Sequence, residues 1–303
     1  MSIQQLSTEQ KGLALGLVAV IAFGLTLPMT RIALAAFDPV FISFGRACLA
    51  GVIAALLLLC TQSKRLTRRQ LGACTLVALG VVLGFPLLSA LAMQTVPASH
   101  GGVVLAILPL ITACVATVIS DERPSVLFWV ISVIGACVVV VFSLRQGGGH
   151  LMLADAFLFL AVIAAAIGYA VGAQLAKELK GWRVICWSLV ISLPFTLPIS
   201  IVYLPSSASL ENLPALAAFL YLALMSQLLG FFLWYKGLAL GGIARVSQTQ
   251  LLQPFVTLLA ATTLANEHLD ASTAAFASIV VVIVWVGRKA IIKTKSTQNL
   301  HHV

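Results

Sequence analysis

Long apolar runs alternate with short polar segments along the whole chain. A run of about 18 or more apolar residues with few charges is long enough to cross a bilayer as a helix. Ten such runs occur, at residues 12–36, 39–60, 71–96, 100–120, 124–144, 152–176, 183–204, 213–240, 244–265 and 271–292. Because they use most of the chain, we predict an all-α polytopic membrane protein with ten transmembrane helices and no soluble domain.

The composition agrees with this pattern. Of the 303 residues, 61% are hydrophobic and only 9% are charged, and the mean hydropathy is +1.09. A soluble domain needs more polar surface than such a chain can supply. The composition therefore excludes an ordinary soluble enzyme or binding domain.

The net charge of +9 raises the question of a nucleic-acid partner. With ten helices and both termini on the cytoplasmic side, 15 of the 18 Lys and Arg residues lie at the cytoplasmic ends of the helices. This imbalance is the positive-inside rule, which sets membrane orientation. We therefore expect a multi-pass protein of the inner (plasma) membrane that contacts lipids and has no nucleic-acid partner.

The six cysteines are scattered singly, without a CxxC pair or a cluster with histidine. Zinc sites and disulfide frameworks need such groupings. We expect small apolar packing roles for these cysteines, and no metal site or cofactor.

A short pattern is repeated with an offset of 145 residues. The offset relates Pro109 to Pro254 and Glu122 to Glu267. Three further identities are Thr112 with Thr257, Ala116 with Ala261 and Thr117 with Thr262. Five apolar runs precede the polar segment "RQGGGH" at 145–150 and five follow it. We predict a first five-helix repeat over 1–145, a linker over 146–150, a second repeat over 151–293 and a cytoplasmic tail over 294–303.

An odd number of helices in each repeat has a topological consequence. The second repeat enters the membrane from the side opposite to the first, so the two copies are inverted. Inverted repeats are typical of secondary transporters, which bind substrate near the bilayer midplane between the halves and work by alternating access.

Two segments resemble the EamA domains of the drug/metabolite transporter superfamily. They are "ALAMQTVPASHGGVVLAILPLITACVATVISDERPS" (90–125) and "FFLWYKGLALGGIARVSQTQLLQPFVTLLAATTLANEHL" (231–269). In that family a small-residue turn leads into a helix that carries a proline and ends near a glutamate. The resemblance implies a ten-helix carrier of amino acids and other small metabolites, without ATP hydrolysis. It also implies that helices 1–4 and 6–9 surround the cavity and that helices 5 and 10 brace the edges.

One position departs from the family pattern. Family members often place a glutamate directly before the proline, where this chain has Leu108 and Gln253. A membrane-embedded carboxylate is the usual proton relay of a transporter. A facilitator or exchanger therefore fits better than tight proton coupling, unless His100 near the outer end of helix 4 titrates in that role.

Three prolines inside the apolar runs are candidate kinks. A proline within a helix frees a backbone carbonyl, which in lipid must find another partner or line a wet cavity. Pro28, Pro109 and Pro254 could each serve as a gate beside a central cavity or as a purely structural kink. Thr26 belongs to the same break as Pro28.

The ninth run has a polar face that the fourth run lacks. Ser247, Gln250, Pro254 and Thr257 are three or four residues apart and share one helical face, with Gln253 beside it. The corresponding positions of the first copy are Gly102, Leu105, Pro109 and Thr112. One polar wall predicts a substrate with a polar and an apolar end, and the alternative is hydrogen bonding between helices.

Two cations within spans are candidate substrate contacts. Arg46 lies about 10 Å from the outer end of helix 2 at 1.5 Å per residue. A charge at that depth must face a cavity or a partner, or extend to the interface, and we predict that it attracts an anionic group. Lys236 near the inner end of helix 8 has the same two alternatives.

Aromatic and amide side chains complete the predicted substrate site. Tyr169 and Tyr235 could form a stacking wall, although membrane Tyr and Trp also serve as interfacial anchors. Gln94 and Gln227 are further polar candidates within spans.

Four GxxxG spacings let helices approach closely. They begin at Gly12, Gly80, Gly168 and Gly237. We expect them to pack the bundle rather than to form dimers, so the protein should be a monomer or a weak homodimer.

We therefore predict a secondary transporter, and not an enzyme, that exports amino acids or related small metabolites across the inner membrane. The alternatives are a drug or nucleoside carrier of the same superfamily, a lipid-acting membrane enzyme or a channel. An enzyme would need a nucleophile, a metal cluster or paired carboxylates. A channel would favour a ring of like charges or a repeated filter, and the sequence shows none of these features.

Overall fold

The computed structural model describes residues 8–119, 122–146, 148–241, 246–288 and 292–294. Nearly all of these residues are helical. The first half contains α1 (Thr8–Gly24 and Thr26–Ala33), α2 (Pro39–Cys60), α3 (Arg68–Val77, the π-helix Ala78–Gly84 and Phe85–Ala92), α4 (Ala98–Leu105 and Leu108–Ile119), the strand β1 (Glu122–Pro124) and α5 (Val126–Gln146).

The second half has the same order of elements. It contains α6 (Leu153–Leu175), α7 (Gly181–Val202), a single turn (Ser207–Leu210), α8 (Leu213–Tyr221, the π-helix Leu222–Leu229 and Gly230–Gly241), α9 (the 3-10 helix Ser247–Leu252 and Gln253–Leu264), α10 (Ala271–Arg288) and the strand β2 (Ile292–Thr294). The interruptions also correspond, because the third helix of each half contains a π-helical segment.

Eight helices of the described ranges, α1 to α8, are long and apolar enough to cross a membrane. The last two are shorter. α9 begins with a 3-10 turn, and the apolar part of α10 covers Ala271–Ile283. The sequence runs predicted at 244–265 and 271–292 extend into residues outside the described ranges.

Side-chain contacts show which helix termini share an end of the bundle. At the end that holds residues 148–153, here called the linker end, Gln146 Nε2 donates to Thr273 Oγ1 (3.3 Å). At the other end, here called the basic end, Arg69 pairs with Glu178. The hydrogen bond from Arg69 holds the pKa of the Glu178 carboxyl below its ordinary value.

A two-stranded antiparallel pairing ties the end of α4 to the end of α10. β1 pairs with β2 so that Glu122 lies opposite Thr294. The two helices therefore finish at the same end of the bundle, and α5 to α10 together must make an even number of crossings.

The two halves interleave in one core. α2 packs along α7, α1 along the last segment of α8, and α3 along α6, while α4 contacts α9 and α5 contacts α10. Each of these pairs joins one helix of the first half to one of the second, and the main cluster of buried apolar residues contains members from both halves.

Glycines permit the closest of these contacts. A Cβ at Gly12 would lie 2.5 Å from the backbone nitrogen of Gly241, and a Cβ at Gly80 would lie 2.5 Å from the carbonyl oxygen of Ala164. Both contacts are with backbone, which cannot move aside as a flexible side chain can. The GxxxG glycines at these positions therefore set the spacing of α1 on α8 and of α3 on α6.

We expect Gly80→Ala to destabilise the protein by about 1–3 kcal/mol, because overpacking forces the two backbones apart. The apparent Tm in detergent, followed by differential scanning fluorimetry, should fall by at least about 3 °C. Gly72→Ala on the same helix is the matched control, since nothing lies within 4 Å of a Cβ there. Its Tm should stay the same or rise, and an equal fall in both variants would contradict the packing role.

Candidate functional site

A buried arginine lies at the centre of the bundle. Arg46 of α2 is 2% exposed, and both its Nε and its Nη2 donate to Gln227 Oε1, at 3.0 and 2.7 Å. Nη2 also approaches Ser226 Oγ at 3.3 Å. These contacts hold one edge of the guanidinium against α8 and leave Nη1 without a hydrogen bond to any described residue.

The charge of Arg46 has no counter-charge in the described part of the chain. Its partners are a neutral amide and a neutral hydroxyl, and the ion pairs seen there are Arg69 with Glu178 and His100 with Asp155. A buried charge without an ionic partner is costly in free energy. The site is therefore electrostatically incomplete.

The two π-helical segments position the partner of Arg46. Gln227 lies in the π-helix of α8, and its Nε2 donates to the carbonyl oxygen of Val81 (3.2 Å) in the π-helix of α3. In π-helical pairing this carbonyl would accept the N–H of the fifth residue along the chain. That residue is Pro86, which has no N–H, so the Gln227 amide takes its place.

Arg46 lines a small central cavity. Its free volume is about 10 Å³, close to the room needed for one water molecule. The cavity is lined by residues of α1, α2, α3, α6, α8 and α9, namely Phe23, Thr26, Arg46, Val81, Phe85, Ala165, Tyr169, Ser226, Phe231 and Gln253.

The cavity has a polar and an aromatic side. Thr26 Oγ1 and Ser226 Oγ share a hydrogen bond (2.8 Å) next to Arg46. The aromatic side of the cavity consists of the rings of Phe23, Tyr169 and Phe231. The centroid of the Phe23 ring lies 6.2 Å from that of Tyr169 and 5.0 Å from that of Phe231. A small molecule with a charged end and an apolar end would match this division.

The three predicted kink prolines each stand in the first turn of a helical segment. Pro28 is the third residue of Thr26–Ala33, and Pro109 and Pro254 are the second residues of their segments. Proline is tolerated there because the first N–H groups of a helix have no partner within it. The prolines therefore begin new segments within α1, α4 and α9.

One freed carbonyl has an identified partner. Pro28 offers no N–H to the carbonyl of Gly24, and the Thr257 hydroxyl of α9 donates to that oxygen at 2.8 Å. The break in α1 is thereby tied to the segment that begins at Gln253 and Pro254.

A second, open cavity of about 520 Å³ lies at the linker end. It is lined by Arg31, Leu34, Ala35, Phe37, Asp38, Pro39 and Gln94. Arg31 donates to the carbonyl oxygen of Met93, and Asp38 Oδ1 accepts from Val40 N at the start of α2 (2.7 Å). Its volume falls within the usual range of small-molecule pockets.

A family model described as the EamA-like transporter family matches the chain twice, over residues 10–144 and 152–286. The chain belongs to the EamA-like transporter family. This result confirms the resemblance seen in the sequence and identifies the chain as a multi-pass membrane transporter rather than an enzyme.

Two further comparisons agree with this assignment. The chain is 43% identical over 274 residues to the "Uncharacterized transporter YdeK" of Bacillus subtilis (strain 168), which covers 90% of this chain and 96% of that protein. A solved structure titled "Crystal structure of protein" shares the fold with a TM-score of 0.60 at 16% identity, covering 91% of this chain and 94% of the other.

The structure brings four predicted site residues of this EamA-like transporter together. Arg46, Tyr169 and Gln253 line the central cavity, and Gln227 contacts Arg46 directly. Tyr235 lies behind this wall, where its hydroxyl donates to the carbonyl oxygen of Gly168 (3.0 Å).

The remaining predicted residues lie elsewhere. Gln250 is buried in the 3-10 turn, and its side-chain amide has no hydrogen-bond partner among the described residues. Ser247 is half-buried at the start of the same turn. Gln94 is exposed in the linker-end cavity, and the exposed Lys236 does not line the central one.

Sequence reasoning missed the aromatic wall formed by Phe23 and Phe231, and it missed Ser226. Phenylalanine is common throughout such a chain, so its type alone gave no signal. Ser226 adjoins Gln227 in "MSQLL", and a search for paired polar residues inside an apolar run could have found it.

We expect Thr257→Val to lower the free energy of unfolding by about 1–2 kcal/mol, because it leaves the Gly24 carbonyl unsatisfied. Pro28→Ala restores a backbone N–H four residues after Gly24, so the cost of Thr257→Val should shrink in that background. Chemical unfolding of the four proteins measures this coupling.

Thr263→Val is the matched control for Thr257→Val. Thr263 is exposed on the same helix, and its hydroxyl donates only to the carbonyl oxygen of Leu259 (2.7 Å). We expect a change below about 0.5 kcal/mol. Equal costs of Thr257→Val with and without Pro28 would contradict the assignment of the freed carbonyl.

Proposed function

We propose that this EamA-like protein is a secondary transporter that exports amino acids, or related small metabolites with a carboxylate, across the inner membrane by alternating access. The observation that supports the substrate class is the buried Arg46, whose charge has no counter-charge among the described residues.

The orientation of the guanidinium suits a carboxylate. Gln227 engages Nε and Nη2, so the edge formed by Nη1 and Nη2 carries only the 3.3 Å contact to Ser226 Oγ, which a carboxylate can displace. A carboxylate can accept two parallel hydrogen bonds from that edge, the arrangement in which arginine recognises carboxylates most strongly. Gln253 and Thr26 supply further polar groups for an amine or hydroxyl on the same molecule.

The size of the central cavity supports alternating access. Free space of about 10 Å³ cannot hold an amino acid, so substrate must enter when helices separate. The breaks before Pro28, Pro109 and Pro254 allow segments of α1, α4 and α9 to tilt at the level of the site. We propose that these segments are the gates.

Internal pseudosymmetry supports inverted repeats. Val81 and Ser226, which are 145 residues apart, both line the cavity, and both lie in π-helical segments. The contact of α1 with α8 corresponds to that of α6 with α3 when the halves are exchanged. With the pairing of β1 and β2 at one end, these relations favour ten crossings and two oppositely oriented repeats.

The charge distribution supports the orientation. The basic end includes Arg69, Lys177 and Arg183, whereas the linker end includes Asp155, Glu267 and Asp270. Under the positive-inside rule the basic end faces the cytoplasm. Both termini are then cytoplasmic, and the linker lies outside.

We expect Arg46→Gln to weaken the binding of carboxylate substrates at least tenfold, because the positive charge proposed to bind the carboxylate is lost while the Gln amide can still bond to its neighbours. A thermal-shift screen of purified protein against amino acids and their carboxamides should find carboxylates alone. The affinity of each hit is then measured by titration against the parent protein and Arg46→Gln. Export is tested by uptake of labelled hits into inside-out membrane vesicles.

Arg31→Gln is the matched control, since Arg31 lies in the linker-end cavity away from the central site. It should retain binding within about threefold of the parent protein. Equal binding of a carboxylate and its carboxamide would contradict the anion site. Nucleosides or uncharged drugs as the sole hits would favour the alternative substrate classes.

A further inference from the structure

The first turn of α4 is held by the second half of the protein at three consecutive residues. The backbone N–H groups of Ala98 and Ser99 donate to Glu267 Oε1 and Oε2, at 2.6 and 2.9 Å. The next side chain, His100, contacts Asp155 Oδ1 through Nε2 at 2.7 Å. Asp155 from α6 and Glu267 from the segment that follows α9 therefore clamp one segment of the first half.

The His100–Asp155 pair is buried almost completely. Their side chains are 3% and 1% exposed, and among described Asp, Glu, Lys, Arg and His residues only these two and Arg46 are buried. Neither residue lines the central cavity. Burial of such a pair is costly and is often no more stabilising than apolar packing, whereas ionisable residues inside membrane proteins commonly serve proton transfer.

The hydrogen bonds of the pair involve both oxygens of Asp155 and the Nε2 of His100, and Nδ1 remains available for one proton. Asp155 Oδ2 accepts the Met152 N–H (2.9 Å), which holds the carboxylate in place. The Nε2 of His100 faces Oδ1; when Nε2 donates the shared hydrogen to Oδ1, a further proton adds at Nδ1. The ring of Phe142 lies 5.0 Å away, centroid to centroid, and covers the imidazole with an apolar face.

The other charged groups on the elements around this turn do not contact the His100–Asp155 pair in the described part of the chain. α1 contributes Arg31, which donates to the Met93 carbonyl, and Glu267 caps the turn itself. α5 contributes Arg145, and α10 is preceded by Asp270, which accepts from Ser272. The loop histidines at this end, His150 and His268, are exposed. None of them makes a hydrogen bond or ion pair to His100 or Asp155 in the described part of the chain.

We propose that His100 and Asp155 form a proton-binding site that holds the linker end of the transporter closed. With a proton from water on Nδ1, the imidazolium makes a charge-assisted bond to Asp155, which is the stronger form of this contact. Loss of that proton leaves the buried Asp155 carboxylate against a neutral ring. The segment Ala98–Leu105 then separates from α6, with the break before Leu108 as its hinge.

This inference rests on the alternating access proposed above, but its test needs no substrate. In a full-length protein whose six native cysteines are replaced, Ser99→Cys places a thiol at a buried position of the clamp. Gln94→Cys is the control, an exposed position at the same end. The ratio of their labelling rates with a water-soluble maleimide removes the pH dependence that the two thiols share, and the same ratio in the His100→Gln background measures what the buried position of the Ser99→Cys thiol adds.

We expect this ratio to rise about tenfold between pH 5.5 and pH 8.5, since the clamp loses its charge-assisted bond. His100→Gln and Asp155→Asn should each abolish the pH dependence. A constant ratio in the parent protein, or a rise that persists in His100→Gln, would overturn the proposal. Arg46→Gln should keep the rise, so failure of the anion site and failure of the clamp are distinguishable.

A second measurement keeps the test decisive if the clamp variants fold poorly. Replacing His150, His268, His301 and His302 by Asn leaves His100 as the single histidine. Its ¹⁵N imidazole resonance in lipid nanodiscs should change with pH over the same range as the labelling ratio. Different midpoints for the two curves would show that another group controls the opening.

Discussion

The central constraint on this structure is a guanidinium that meets no carboxylate in the described ranges. Arg46 lies within the bundle, and among the described residues its charge is met only by the Gln227 amide and the Ser226 hydroxyl. A buried charge of this kind needs neutral dipoles around it, and the surrounding backbone positions the side chains that supply them. The two π-helical segments, and the proline that ends one of them, bring Gln227 between α3 and α8.

Close helix packing and polar irregularity depend on each other in this bundle. Glycines bring α1 against α8 and α3 against α6 at backbone distance. The carbonyls freed near Pro28 and Pro86 then lie within reach of Thr257 and Gln227. Broken helices are tolerated in lipid where neighbouring side chains satisfy the freed groups. The same breaks give the protein segments that can tilt without unfolding.

The sequence predicted a good part of this arrangement. Hydropathy located the helices because a lipid environment leaves few alternatives to long apolar helices, and the repeated proline and glutamate indicated two related halves. Arg46, Gln227, Gln253 and Tyr169 stood out because polar groups inside apolar runs are rare. The sequence could not show that Lys236 is exposed and does not line the central cavity, or that the Tyr235 hydroxyl bonds to the Gly168 carbonyl within the core. Both depend on the rotation of the helix about its axis.

The sequence by itself determined the class of protein, the number of apolar runs and the duplicated pattern, because composition and spacing are sufficient for each, and its resemblance to EamA domains indicated the family. Tertiary structure decided which polar residues meet. Arg46 and Gln227 are 181 residues apart, and Ala98 and Glu267 are 169 apart. Pairings at such separations depend on how helices pack and where their backbones break. The repeated glutamate shows the difference: the sequence identified Glu267 as half of a pattern, and only the fold revealed that it caps α4.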